Sequence, residues 1–427
     1  MKKTLIALSI SAALGMQQAS AAQLTLEEKI DILQQEIEAL KAQVAQNQAK
    51  PAASGTEQSA SQTAAGGSGA TTVGGYGEIA YNHYRNTDAH NSEADLRRFV
   101  LFLGHRFNDD LRFVSEMEIE HAVASKDDNG EVEVEQMYLD YRLSNAVNLK
   151  AGLFLIPLGI LNETHEPPTY YGVERNEVET RIIPSTWREG GVGIYGEVAE
   201  GLRYDAGITT GFDAGKIDDP AFGIRSGHQE LQLAKANDLS VYGALNYRRP
   251  GMLLGGGIFT GNTGQAGASL LDPAAKALLK SVGARLTLWD LHAQYSLGKL
   301  DLQALYARGK LNDADTVAAA LLAEGVVTPS GAPVAVSKSF DGWYAQAAYH
   351  LWQHGDMDLT PFYRYERYNT QREVAAGFTA DPANNETVQT LGINFRLHPQ
   401  VVLKADYQTF KTDSTKDRLN LGLGYMF

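Results

Sequence analysis

Between Pro157 and Glu189 a single connection carries Glu163, His165, Glu166, Glu174, Arg175, Glu177, Glu179, Arg181, Arg188 and Glu189, with Pro167-Pro168 and Tyr170-Tyr171 among them. Six Glu against three Arg can line a charged passage or pair with charges elsewhere. Glu163, His165 and Glu166 offer two oxygen ligands and one nitrogen, types that a divalent metal accepts. Three such residues on a loop do not specify a site, and no metal or other cofactor is assigned. Nucleophilic catalysis would need a Ser-His pair steadied by an acid or amide. No such constellation has the spacing of a known motif, and the segment 157–191 contains no Gly-x-Ser-x-Gly. No enzymatic activity is expected.

The elements that must position this connection are strands. After residue 72 the chain reads as sixteen segments of period-2 alternation: 73–85, 95–107, 110–122, 131–143, 146–156, 190–199, 201–212, 240–248, 250–261, 286–295, 299–309, 340–352, 356–367, 387–398, 400–411 and 417–427. Each has the length a tilted strand needs to cross a bilayer. Their connections alternate strictly. Tight turns fall at Asn108-Asp109, Ser144-Asn145, Glu200, Arg249, Ser296 to Gly298, Gln353 to Gly355 and Pro399, and long loops fall between them. Short turns on one rim and long loops on the other mark a transmembrane barrel. The fold class is therefore all-β, a sixteen-stranded antiparallel barrel, and an even count returns both of its ends to the same side.

In the last strand Leu419, Leu421, Leu423, Tyr425 and Phe427 alternate with Arg418, Asn420, Gly422 and Gly424. The first set suits lipid and the second suits water. Aromatic residues at strand ends, Tyr84, Phe107, Tyr141 and Tyr295 among them, suit interfacial girdles. Extending the alternation gives the pore-lining cations: Arg98, Arg112, Arg142, Lys150, Arg364, Arg396, Lys404 and Arg418, with Arg203 and Arg248. Against these ten stand eleven inward acids: Glu78, Glu116, Glu118, Glu120, Asp140, Glu197, Asp205, Asp290, Asp301, Glu366 and Asp406. The lumen is balanced in charge. Closing the barrel brings most of the cations into one arc.

Three zones precede the barrel. Lys2-Lys3, the apolar run from Thr4 to Met16 and Ala19-Ser20-Ala21 read as a cleaved signal peptide, 1–22. In the helix 23–45, Leu26, Ile30, Leu33, Ile37, Leu40 and Val44 form a heptad seam, with Thr25 and Glu28 as a capping box. This is a short coiled coil for self-association. Residues 46–72, rich in Ala, Ser, Gly, Gln and Thr, read as a flexible linker before the barrel domain 73–427. The chain has 427 residues, no cysteine and a net charge of -14. That acidic balance argues against nucleic acid as a partner.

A signal, a heptad coil, a linker and a sixteen-stranded barrel ending on an aromatic residue, Phe427, resemble the phosphate-selective porin O and P family over the whole mature chain. The resemblance implies an outer-membrane porin of a Gram-negative bacterium, a water-filled channel for small hydrophilic solutes and ions, anions such as phosphate included. It implies a homotrimer among lipid and lipopolysaccharide, with the coil in the periplasm. It also implies a third loop folded into the barrel as a constriction, here built from Glu163, Glu166, Glu174, Arg175, Glu177, Glu179, Arg181 and Arg188. The family's pores carry ladders of Arg and Lys that pass phosphate-type anions. The balanced charge of this chain departs from that, so the architecture carries over and the substrate does not. A substrate-specific transporter would need a folded plug, and an envelope tether would need a wall-binding module. No segment before the barrel suits either role.

Overall fold

The computed structural model describes residues 69–86 and 92–427. The expected signal peptide, coiled coil and nearly all of the linker lie outside the described residues. The barrel strands are β1 (Thr71–Tyr84), β2 (Ser92–Arg106), β3 (Leu111–Glu120), β4 (Val132–Arg142), β5 (Asn148–Leu155), β6 (Arg188–Ala199), β7 (Leu202–Thr209), β8 (Ser240–Arg249), β9 (Met252–Asn262), β10 (Arg285–Leu297), β11 (Leu300–Leu311), β12 (Ser337–Tyr349), β13 (Met357–Val374), β14 (Asn385–His398), β15 (Val401–Phe410) and β16 (Arg418–Met426). A short run, Trp352–His354, continues β12 beyond a break and pairs with β13. Each strand pairs antiparallel with its neighbours in sequence. β1 also pairs with β16, from Tyr76 opposite Met426 to Tyr84 opposite Arg418. The sheet closes on itself, which removes both edges. Gly75 and Phe427 exchange backbone hydrogen bonds of 3.0 and 2.9 Å across that seam.

All sixteen expected strands are present, with bounds shifted by a few residues. β1 starts at Thr71, inside the stretch read as linker, and β13 runs on to Val374. Tight reversals explain why the short rim was legible. Gly298 and Gly355 sit at φ +61° and +59° in two of them, a region that costs a residue with a Cβ. The alternation also holds. On β14 Leu391 is 65% exposed while Thr390 is fully buried. Tyr84 departs from the girdle reading. It shares the inward face with Glu78 and Asn82, and its hydroxyl accepts a hydrogen bond from Arg418 at 3.3 Å.

Two β-bulges break the alternation where it matters most. The pairing of β1 with β2 slips between Glu78 and Ile79, whose partners are Arg98 and Leu96. Arg97 is the extra residue. The pairing of β3 with β4 slips between Glu116 and Met117, opposite Gln136 and Val134, so Glu135 is extra. Both extra side chains make or face contacts inside the barrel, although period-2 counting assigns them to the lipid face.

Two of the long loops beyond the third hold longer helices that alternation could not reveal. Pro273–Ser281, capped by Asp272 accepting from the Ala274 and Ala275 amides, packs on Ala314–Glu324. Leu279, Val317 and Leu321 are buried there.

Candidate functional site: the lumen and its third loop

The connection from β5 to β6 does not stand above the rim. From its start it bonds to inward-facing side chains of the wall, on strands from β10 round to β2. The Gly159 amide donates to Asp290 of β10 at 3.1 Å, and the Tyr171 hydroxyl to Asp301 of β11 at 2.7 Å. Tyr344 of β12 donates to Glu179 at 2.7 Å, and the Glu177 amide donates to Glu366 of β13 at 2.7 Å. Arg396 of β14 reaches the Pro168 carbonyl at 3.0 Å, and Lys404 of β15 the Gly172 carbonyl at 2.8 Å. The Val173 amide donates to Asp406 at 2.6 Å. Tyr170 donates to Glu78 of β1 at 3.0 Å, and Arg97 of β2 to Glu174 at 3.0 Å.

Local chemistry shapes the loop. Pro167-Pro168 start a 3-10 turn that lies against β16 and β1. The Glu179 amide bonds to Asn176 Oδ1 at 2.7 Å at the start of the short helix Val178–Arg181, and Arg181 pairs with Glu177 one turn back. Glu179, expected to line the passage, is instead the loop's internal tie. Fully buried, it accepts from the Ile160 and Leu161 amides at 2.6 and 2.7 Å, from Asn176 at 3.0 Å and from Tyr344. Stranding a buried donor costs ~1–3 kcal/mol. Glu179→Ala strands several, so we expect it to loosen the loop by about 3 kcal/mol or more. Limited proteolysis should then cut between residues 160 and 182 in the variant while the barrel stays resistant.

The other predicted loop residues divide as follows. Glu174 is held by Arg97. Burial alone would raise its carboxyl, but Arg97, Arg418 and the hydrogen bond from Asn82 together outweigh that and keep it below the usual range. Glu177 pairs with Arg181 and stands 3.8 Å from Arg418. Arg175 reaches the His165 carbonyl at 3.5 Å. Glu166 is buried with neither oxygen hydrogen-bonded. Glu163 is half-buried beside Lys150 and Glu116 in a small separate cavity. Arg188 is not in the loop at all. It is the first residue of β6 and bonds to Glu133 at 2.5 Å.

The predicted wall cations face inward, and most meet a carboxylate at once. Arg98 lies 3.4 Å from Glu78 and 3.2 Å from Glu118. Arg112 bonds to Asp140, Lys150 to Asp205 and Arg364 to Glu366, at 2.6, 2.5 and 2.7 Å. Arg142 pairs with Asp110 at the short-turn rim. Lys404 sits 3.6 Å over the Tyr170 ring. The cations do not form a free ladder.

Between the loop and the β1–β4 wall lies a cavity of about 600 Å³. Arg97, Arg98, Arg175, Arg188 and Arg225 line it, with eight carboxylates that include Glu120, Glu131, Glu133 and Glu230. His228 adds no charge near neutral pH. Burial, offset in part by Glu230, holds its imidazole down at about 4. Sequence reasoning missed Arg97 and Glu133 because of the two bulges: Arg97 is itself an extra residue, and the extra Glu135 inverts the count below it, so that Glu133 stands opposite the inward Glu118.

A model of the family described as phosphate-selective porin O and P matches residues 38–179. An uncharacterized protein of Aquifex aeolicus (strain VF5) is 32% identical over 365 residues, spanning 83% of this chain and 80% of that protein. The outer membrane channel DcaP of Acinetobacter baumannii superposes with a TM-score of 0.54 at 12% identity, covering 86% of this chain and 100% of that one. An anion-selective porin from Comamonas acidovorans gives a TM-score of 0.52 at 12% identity, covering 84% of this chain and 99% of that one. At such identities the two structures bear on the fold alone.

Proposed function

The chain belongs to the phosphate-selective porin O and P family and is an outer-membrane porin, and we propose that its third loop narrows the channel to a charge-compensated constriction that passes small hydrophilic solutes with weak ion selectivity. One observation carries this reading. The wall cations that would otherwise select anions are paired with wall or loop carboxylates, Arg98 with Glu78 and Glu118, Arg364 with Glu366, and Arg97 with Glu174. Rings of uncompensated cations select anions. Paired charges across a low-dielectric gap instead set up a transverse field that orients dipolar solutes. Pore-lining roles for Arg98, Arg112, Arg142, Lys150, Arg364, Arg396, Lys404 and Arg418 follow from the same reading, as does a constriction role for the loop residues Glu174, Arg175, Glu177 and Arg181. Liposomes holding the protein should swell in neutral sugars at rates that fall steeply with sugar size. Impermeability to all of them would contradict a diffusion channel.

The heptad seam and the apolar barrel wall support a homotrimer held partly by a periplasmic coil. Crosslinked mature protein run unheated should give a three-subunit band, weakened when residues 23–45 are removed. A stable monomer with the coil intact would end that part of the proposal.

A further inference from the structure

Behind the third loop, three side chains from separate elements converge. Glu116 on β3, Glu135 in the β4 bulge and His165 in the loop are 1%, 0% and 1% exposed. His165 Nε2 stands 3.5 Å from Glu116 Oε1 and 3.7 Å from Glu135 Oε2. That nitrogen, Glu116 Oε1 and both Glu135 oxygens make no hydrogen bond. Leaving such groups unpartnered away from water is costly.

The surroundings orient all three atoms. His165 Nδ1 lies 3.1 Å from the Asn162 carbonyl, so Nδ1 carries a proton for that bond and Nε2 can present its lone pair to the carboxylates. A metal-bound histidine has this kind of outer partner. Gln136 donates to Glu116 Oε2 at 2.6 Å, which leaves Oε1 turned toward His165. The spacing is long for hydrogen bonds, which run ~2.7–3.2 Å. It suits ligands of one ion, because two donors each ~2.0–2.2 Å from a tetrahedral centre sit ~3.3–3.6 Å apart.

We propose that Glu116, Glu135 and His165 bind a divalent transition-metal ion of the Zn²⁺ class, which staples the start of the third loop to the β3–β4 wall. An imidazole with two carboxylates suits such ions, while calcium and magnesium prefer all-oxygen cages. An acidic route leads in from the cavity. Oxygens of Glu118, Glu133 and Glu135 lie within 4.8 Å of one another, and Glu133 lines the cavity. The rival occupant is a proton, which would make His165 an imidazolium between two carboxylates.

Equilibrium dialysis of EDTA-stripped full-length porin against Zn²⁺ separates the two. We expect one Zn²⁺ per chain, not displaced by excess Ca²⁺. His165→Ala and Glu135→Gln should each weaken binding at least ~10–100-fold, with folding checked by heat-modifiable gel mobility. Wild-type uptake no greater than that of His165→Ala, or full uptake retained in both variants, would overturn the site. Should a variant fail to fold, Co²⁺ loading of the wild type decides. A visible band that one Zn²⁺ per chain abolishes supports the site, and no band refutes it.

Discussion

Deleting residues 166–182 raises single-channel conductance several-fold and admits larger sugars. The segment contributes Pro168, Tyr170, Tyr171, Gly172, Val173, Glu174, Glu177 and Glu179 to bonds that reach the wall from β11 round to β2. The barrel itself does not depend on these bonds. Its ladder hydrogen bonds run strand to strand, and β1 pairs with β16 whether or not the loop is present. The variant should therefore keep its heat-modifiable mobility while its planar-bilayer current grows. Unchanged conductance with an unchanged size cutoff would show that the loop does not limit flow.

Replacing Arg98, Arg364 and Arg418 together by glutamine moves the reversal potential in a salt gradient strongly toward the cation side. Each change removes a positive charge whose carboxylate partner stays behind: Glu78 and Glu118, Glu366, and Glu177. The loss of three positive charges leaves these carboxylates in excess, and negative charge in a narrow low-dielectric passage attracts cations. Losing one partner of a buried pair also costs ~3–5 kcal/mol, so the variant should melt earlier while still forming channels. A reversal potential equal to that of the wild type would mean that permeating ions do not feel these side chains.

The barrel was legible because its code is local. Alternating residues such as Leu419 and Asn420 report their faces one step at a time, and glycine-marked reversals such as Ser296 to Gly298 report the short rim. What failed was also local in cause. A single inserted residue inverts the count, so strict alternation puts Arg97 and Glu135 on the lipid face at the two positions where a bulge turns them inward. Partnership across the lumen was not legible at all. Nothing near Glu179 in the sequence announces Tyr344, 165 positions on, and a loop counted as six carboxylates against three guanidinium groups gives no hint that Glu179 faces inward on its own amides. The metal question shows the same limit. Local spacing grouped His165 with Glu163 and Glu166, whereas the folded chain sets it between Glu116 and Glu135.

On the proposed function, the lumen cations are compensated and do not form a phosphate-binding ladder. Chloride current through single channels, recorded while phosphate is titrated from micromolar to millimolar, tests this. Compensation predicts a current that barely falls at millimolar phosphate. A steep block at micromolar phosphate would contradict it, because binding of that strength requires arginines and lysines free to close on the anion.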